Sequence, residues 1–179
     1  VIKHALIGDP ALWQQIQSQA VTSSRPVNNT SWLDILRASI AVKVSVVQED
    51  PLEKGIRALL NFGHTIGHAV ESYFLETDDP LTHGEAVAIG MICESQIGQL
   101  EKLKEAIQVI KSHFPHRPIP VSAFPQIWDL MQQDKKNAAG KVRVAVPDAE
   151  PFSMRVLEPS QNEVEESLLF YNNLATYQK

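Results

Sequence analysis

Four polar residues in the middle of this chain, Arg57, Asn61, His64 and His68, recur at offsets of zero, four, seven and eleven. At about 100° per residue, a single helix gathers them within roughly 60° of one another. Leu59, Phe62, Ile66, Val70 and Phe74 then form the opposite, buried face. A solvated flank carries Glu, Lys and Gln, whereas two imidazoles, a guanidinium and an amide on one stripe point to a ligand site. Gly63 and Gly67 would each cost such a helix about 1 kcal/mol. Their use beside the histidines implies close approach of a ligand or of another backbone. A third histidine, His83, follows a TDDP turn and opens a further helix in HGEAVAIGM. Two His at i and i+4 reach one metal ion, and a third ligand from a neighbouring helix would leave an open coordination position for chemistry. By spacing alone, His64 and His68 are the chelating pair. The plainer alternative has His83 capping its helix and His68 satisfied in the core. His4, His113 and His116 have no such company and read as structural or exposed.

Cations come next. Lys43 falls three residues after Ile40 and four before Val47, on an apolar stripe where an ammonium must snorkel or meet an anion. In DKKNAAGKVR, residues 134–143, Lys135 and Lys136 precede a glycine turn and a strand, an arrangement suited to phosphate or carboxylate.

The elements that must position these groups are mostly helical. Periodicity predicts helices over residues 11–20, 31–48, 57–75, 84–100, 101–113, 124–133 and 160–174, joined by turn-rich connectors such as SSRPVNNT and FPHRPIP. The chain opens in what reads as the middle of a helix, with Ile2, Leu6 and Ile7 apolar and Gly8-Asp9-Pro10 breaking it. It has no initiator Met and reads as a fragment. Residues 141–147 alternate like a strand, and 152–157 can pair with them as a hairpin. The fold class is therefore mainly α, a helical bundle with a small β-hairpin, in one domain over 1–179.

Composition agrees with a single core: 179 residues, 44% hydrophobic and 21% charged. A net charge of −5 and the absence of any long basic run argue against nucleic acid as a partner. No apolar stretch approaches the roughly 18 residues of a membrane span, and VIKHALIGD lacks a signal-peptide layout. The single cysteine, Cys93, excludes an internal disulfide and fits a reducing cytoplasm.

Taken together, VIKHALIGD, KVSVVQEDPLEKGIRALLNFGHTIGHAVES, LTHGEAVAIGM and DKKNAAGKVRVAVP resemble 3-dehydroquinate synthase, over residues 1 to about 147. The resemblance covers that enzyme's helical C-terminal domain. Its N-terminal Rossmann-like NAD-binding domain is expected to be absent from this chain, which carries no G-x-G-x-x-G pattern. The resemblance implies conversion of the seven-carbon sugar acid phosphate DAHP to 3-dehydroquinate and phosphate in the shikimate pathway, in the cytoplasm, with NAD and a divalent metal, Zn2+ or Co2+. It places the metal on His64 and His83, with a glutamate that would immediately precede Val1, and makes His68 a proton-transfer residue in place of a ligand. Glu53 matches a second proton-transfer position. Lys3, Lys43, Arg57 and Asn61 match substrate contacts, as does at least one of Lys135 and Lys136. A homodimer is implied for the full-length enzyme, and inactivity for this chain alone. The alternatives are a related sugar-phosphate cyclase such as 2-deoxy-scyllo-inosose synthase, or a non-catalytic helical module.

Overall fold

The computed structural model describes residues 1–21, 29–133 and 141–175. Two short helices open it, α1 (Ile2–Gly8) and α2 (Pro10–Val21). Asp9 makes the break, its Oδ1 accepting the Leu12 N–H at 2.9 Å, and Pro10 begins α2 at a position where a helix has no use for an N–H. The long α3 (Asn29–Glu49) buries Ile35, Ser39, Val42 and Val46. These face α1 and a 3-10 helix over Ile56–Asn61. A second apolar stripe on α3, Leu36, Ile40 and Val44, stays exposed. Lys43 adjoins that second stripe and is exposed as well, so its ammonium reaches solvent, one of the two outcomes its spacing allowed. Two apolar stripes run along this helix, and the neighbouring elements cover the other one.

The helix expected over 57–75 is broken. The 3-10 helix ends at Asn61, the chain turns at Phe62 and Gly63, and α4 (His64–Leu75) begins in a new direction. Gly63 has φ 78°, in the left-handed region that suits glycine, and a Cβ there would lie 2.5 Å from Met91 Cγ and 2.9 Å from Met91 N. Arg57 and Asn61 therefore do not share a helix with His64 and His68. The apolar face survives the break, because Leu59, Phe62, Ile66 and Val70 are fully buried and Phe74 nearly so.

A capping box between Thr82 and Glu85 starts α5 (His83–Ile97), so Thr82, not His83, caps this helix. From Ala86 to Ser95 every residue of α5 is buried. Such burial is the expected fate of a helix apolar on all sides. Around it pack α4, α6 (Leu103–His113), α8 (Gln161–Asn173) and strand β1 (Val144–Pro147). Helix α7 (Phe124–Gln133) closes the bundle against α4 and α8. The predicted hairpin is present but shorter: β1 pairs antiparallel with β2 (Met154–Leu157), Val144 opposite Leu157 and Pro147 opposite Met154. Helices α4 and α5 meet backbone to backbone. A Cβ on Gly90 would lie 2.0 Å from the Gly63 carbonyl oxygen and 2.7 Å from the Gly67 N. The glycines beside the histidines thus admit the backbone of α5.

Candidate functional site

That close crossing sets the geometry of the histidines. His64 opens α4, His68 follows one turn later, and His83 opens α5. Their ring centroids stand 5.1 Å (His64–His68), 5.4 Å (His64–His83) and 5.5 Å (His68–His83) apart. One nitrogen from each ring lies within 4.8 Å of the others, close enough to hold a single metal ion. The near-equal spacing makes the three rings alike as donors, so the i, i+4 pair has no geometric privilege over His64 with His83.

The surroundings of His64 suit a neutral imidazole, the form that binds metal. Burial, followed by the Lys3 ammonium, pushes His64 down to about 4. Lys3 Nζ stands 3.3 Å from His64 Nδ1 and donates to the Leu60 carbonyl at 2.5 Å. His83 Nδ1 lies 2.9 Å from Glu71 Oε2. A hydrogen bond there puts the proton on Nδ1 and leaves Nε2 as the donor atom, the carboxylate–histidine arrangement that orients metal ligands.

His64 and His68 also line a cleft of about 590 Å³, together with Glu53, Asn61, Thr65 and Arg143. Glu53 sits at its rim with φ 55°, an uncommon conformation for a residue with a Cβ. Its Oε1 accepts from Asn61 Nδ2 at 3.3 Å, and its Oε2 lies 3.9 Å from Arg57 Nε. Asp50 holds this loop. Its carboxylate accepts the backbone N–H groups of Lys54 (2.9 Å), Gly55 (2.7 Å) and Arg57 (3.1 Å), and the Lys54 contact leads in keeping its carboxyl below the ordinary range. The floor is tied to α4 through Thr65, whose hydroxyl donates to the Arg143 carbonyl at 3.1 Å.

Of the sequence-predicted residues, the structure brings together His64, His68, His83 and Lys3, with Glu53 and Asn61 across the cleft. Arg57 adjoins Glu53 from the side, its guanidinium donating to the Pro51 carbonyl at 3.0 Å. Lys43 does not line the cleft; its charge is felt at His4, which burial first, with the Lys3 and Lys43 ammonium groups behind it, pushes down to about 4. Lys135 and Lys136 lie outside the described residues. His4 pairs with Ser39 Oγ at 2.7 Å, His113 contacts the Val109 carbonyl, and His116 stacks on Tyr171, as their isolation in sequence suggested.

Sequence reasoning missed Asp50, Glu71 and Glu94. Glu94 is fully buried, and its carboxylate accepts the N–H groups of Gly63 (2.6 Å) and Ile66 (3.1 Å). Burial pushes its carboxyl up, while the two N–H groups, each donating to a different oxygen, favour the ionised form. A lone glutamate inside the apolar run AVAIGMICES was the available signal.

Comparison with known proteins places the chain in a family. The family model described as 3-dehydroquinate synthase C-terminal matches residues 1–137. The chain belongs to the 3-dehydroquinate synthase family. Similar proteins include 3-dehydroquinate synthases from Parabacteroides distasonis, 36% identical over 78% of this chain and 40% of the relative, and from Rippkaea orientalis, 36% identical over 82% and 42%. One from Bacillus cereus is 37% identical over 82% of this chain and 41% of the relative. The chain thus spans about two fifths of the length of these family members. Among solved structures, a 2-epi-5-epi-valiolone synthase from Streptomyces hygroscopicus subsp. jinggangensis 5008, with NAD+ and Zn2+ bound, superposes with a TM-score of 0.77. That match is 24% identical, covers 97% of this chain and 49% of the other, and shows the shared fold.

Proposed function

We propose that this chain is the metal- and substrate-binding part of a 3-dehydroquinate synthase, acting on DAHP together with an N-terminal NAD-binding domain in a cytoplasmic homodimer. The observation that carries the reading is the convergence of His64, His68 and His83 beside Lys3, in a chain of this family. His64 and His83 would hold Zn2+ or Co2+, joined by a carboxylate from the segment before Val1. When bound, the metal supplies Lewis-acid polarisation of a substrate hydroxyl, and NAD supplies the hydride acceptor.

The chain's own residues do the rest. His68, on the same face of α4 and open to the cleft, moves protons to and from the substrate, a role for which an imidazole can both accept and donate. Glu53 is the second proton-transfer group, held at the rim by Asn61 and Arg57. Lys3, Lys43, Arg57, Asn61 and the Lys135–Lys136 pair offset the carboxylate and phosphate charge of the substrate.

The test is phosphate release and 3-dehydroquinate formation from DAHP by the full-length protein with NAD and Zn2+. Turnover of another sugar phosphate in place of DAHP would assign the chain to a related cyclase such as 2-deoxy-scyllo-inosose synthase, and no turnover of either would leave a non-catalytic module.

A further inference from the structure

The first turn of an α-helix leaves four N–H groups without intrahelical partners, and a side chain just ahead of the helix usually accepts one or two of them. Helix α4 has no such cap, because Gly63 occupies the position. The acceptor comes instead from the middle of a different helix. Glu94 reaches from α5 so that Oε2 takes the Gly63 N–H at 2.6 Å and Oε1 takes the Ile66 N–H at 3.1 Å, in a location with no solvent access. Anions are favoured at this end of a helix by the aligned peptide dipoles as well as by the exposed donors.

The placement matters because of what each helix carries. His64 lies between the two N–H groups that Glu94 holds, His68 stands one turn further along α4, and His83 opens the helix from which Glu94 projects. Metal ligands must sit within about 0.5 Å of their working positions. The glycine crossing lets α4 and α5 approach, but a contact between smooth backbones leaves sliding and rotation weakly specified. A carboxylate gripping two N–H groups from opposite oxygens fixes both.

We infer that Glu94 is a positioning residue for the histidine cluster: by pinning the Gly63 corner and the start of α4 to α5, it sets His64 and His68 against His83. The inference rests on the reading of those histidines as a metal centre. Its neighbour Cys93 offers a built-in comparison. Cys93 is also fully buried on α5, yet its thiol points to α8 and donates to the Ser167 carbonyl at 3.5 Å. Loss of either side chain disturbs the core, but of the two it is Glu94 that hydrogen-bonds to the start of α4.

The experiment is a Co2+ titration of the full-length protein, followed by visible d–d absorption, on wild type, Glu94→Gln, Glu94→Asp and Cys93→Ala, with Tm and helical circular dichroism recorded for each. Glu94→Gln keeps the shape but must turn an amide N–H towards one backbone N–H; Glu94→Asp keeps the charge and withdraws it. Both are expected to weaken Co2+ binding about 10-fold or more and to alter the d–d bands. Cys93→Ala should leave affinity within about 2-fold at a comparable loss of Tm. Unchanged Co2+ affinity and spectrum in either folded Glu94 variant, or an equal loss in Cys93→Ala, would overturn the positioning role while the metal reading stood. Failure of the wild type to bind Co2+ with a histidine-type spectrum would overturn the metal reading and the inference with it.

Discussion

The two sides of the cleft are built differently. On one side, the histidines rest on α4 and α5, whose contact is buried, glycine to glycine, and pinned by a carboxylate with no solvent access. On the other, Glu53, Arg57 and Asn61 rest on a loop and one short 3-10 helix, held by the exposed carboxylate of Asp50 and by each other. Rigid mounting suits groups that must share one ion with little tolerance in position. Longer, exposed and mutually hydrogen-bonded side chains suit groups that must exchange their present partners for an incoming anion.

The largest contrast should come from the histidines themselves. In the full-length enzyme, His64→Ala should lose both metal and turnover, whereas His68→Ala should keep its metal and lose about 10²–10⁴ in kcat. Metal analysis of the two purified variants checks this, and an empty site in His68→Ala would restore the i, i+4 pair as ligands. Next comes the crossing that supports them. Gly90→Ala places a methyl group 2.0 Å from the Gly63 carbonyl oxygen, where only backbone can yield, and should destabilise the fold by about 3 kcal/mol. Urea denaturation of the variant measures it; a loss under 1 kcal/mol would mean that the two helices separate easily and that the histidine side is less rigid than described.

On the opposite side, Arg57→Ala should lower kcat/KM for the phosphate-bearing substrate about 10-fold or more, the worth of one charge-assisted contact, with little change in Tm. If Tm fell and kcat/KM did not, Arg57 would be a brace for the Glu53 loop. The smallest effect is acid sensitivity near the start of the chain. The folded state holds His4 near 4 while the unfolded chain protonates it near its ordinary 6.5, so its stabilising share is complete above 6.5 and disappears as pH falls towards 4. Wild type should therefore lose ground to His4→Asn between pH 7 and pH 5, read as a narrowing gap in Tm; a constant gap would show that His4 titrates normally.

How far the sequence could be read varied with the same distinction. The buried face of Leu59, Phe62, Ile66, Val70 and Phe74 was legible because apolar spacing demands a covered side whether or not the helix continues. The corner inside it was not. A glycine is tolerated within a helix, and what forbids a side chain at this one, Met91 and the Val87 carbonyl, belongs to the distant α5. Two outcomes stayed open for Lys43 because α3 offers two apolar stripes and local spacing does not say which one its neighbours cover. The three histidines were found by residue type and pattern, since few other roles collect imidazoles, but their separation into ligands and proton carrier came from family likeness and not from spacing. Asp50, Glu71 and Glu94 were passed over for one reason: each acts on groups that only the folded chain brings to it.

The three rings, Glu71 behind one of them, the glycine crossing and the carboxylate that pins it all lie between residues 63 and 94, and Lys3 joins them from α1. A single helical hairpin therefore carries the whole cluster, and transplantation into an unrelated bundle becomes a design problem with a defined boundary. The difficulty is α5, which is apolar on every side, so the recipient scaffold must offer surfaces equivalent to α6, α8 and β1 before the grafted rings can hold their places.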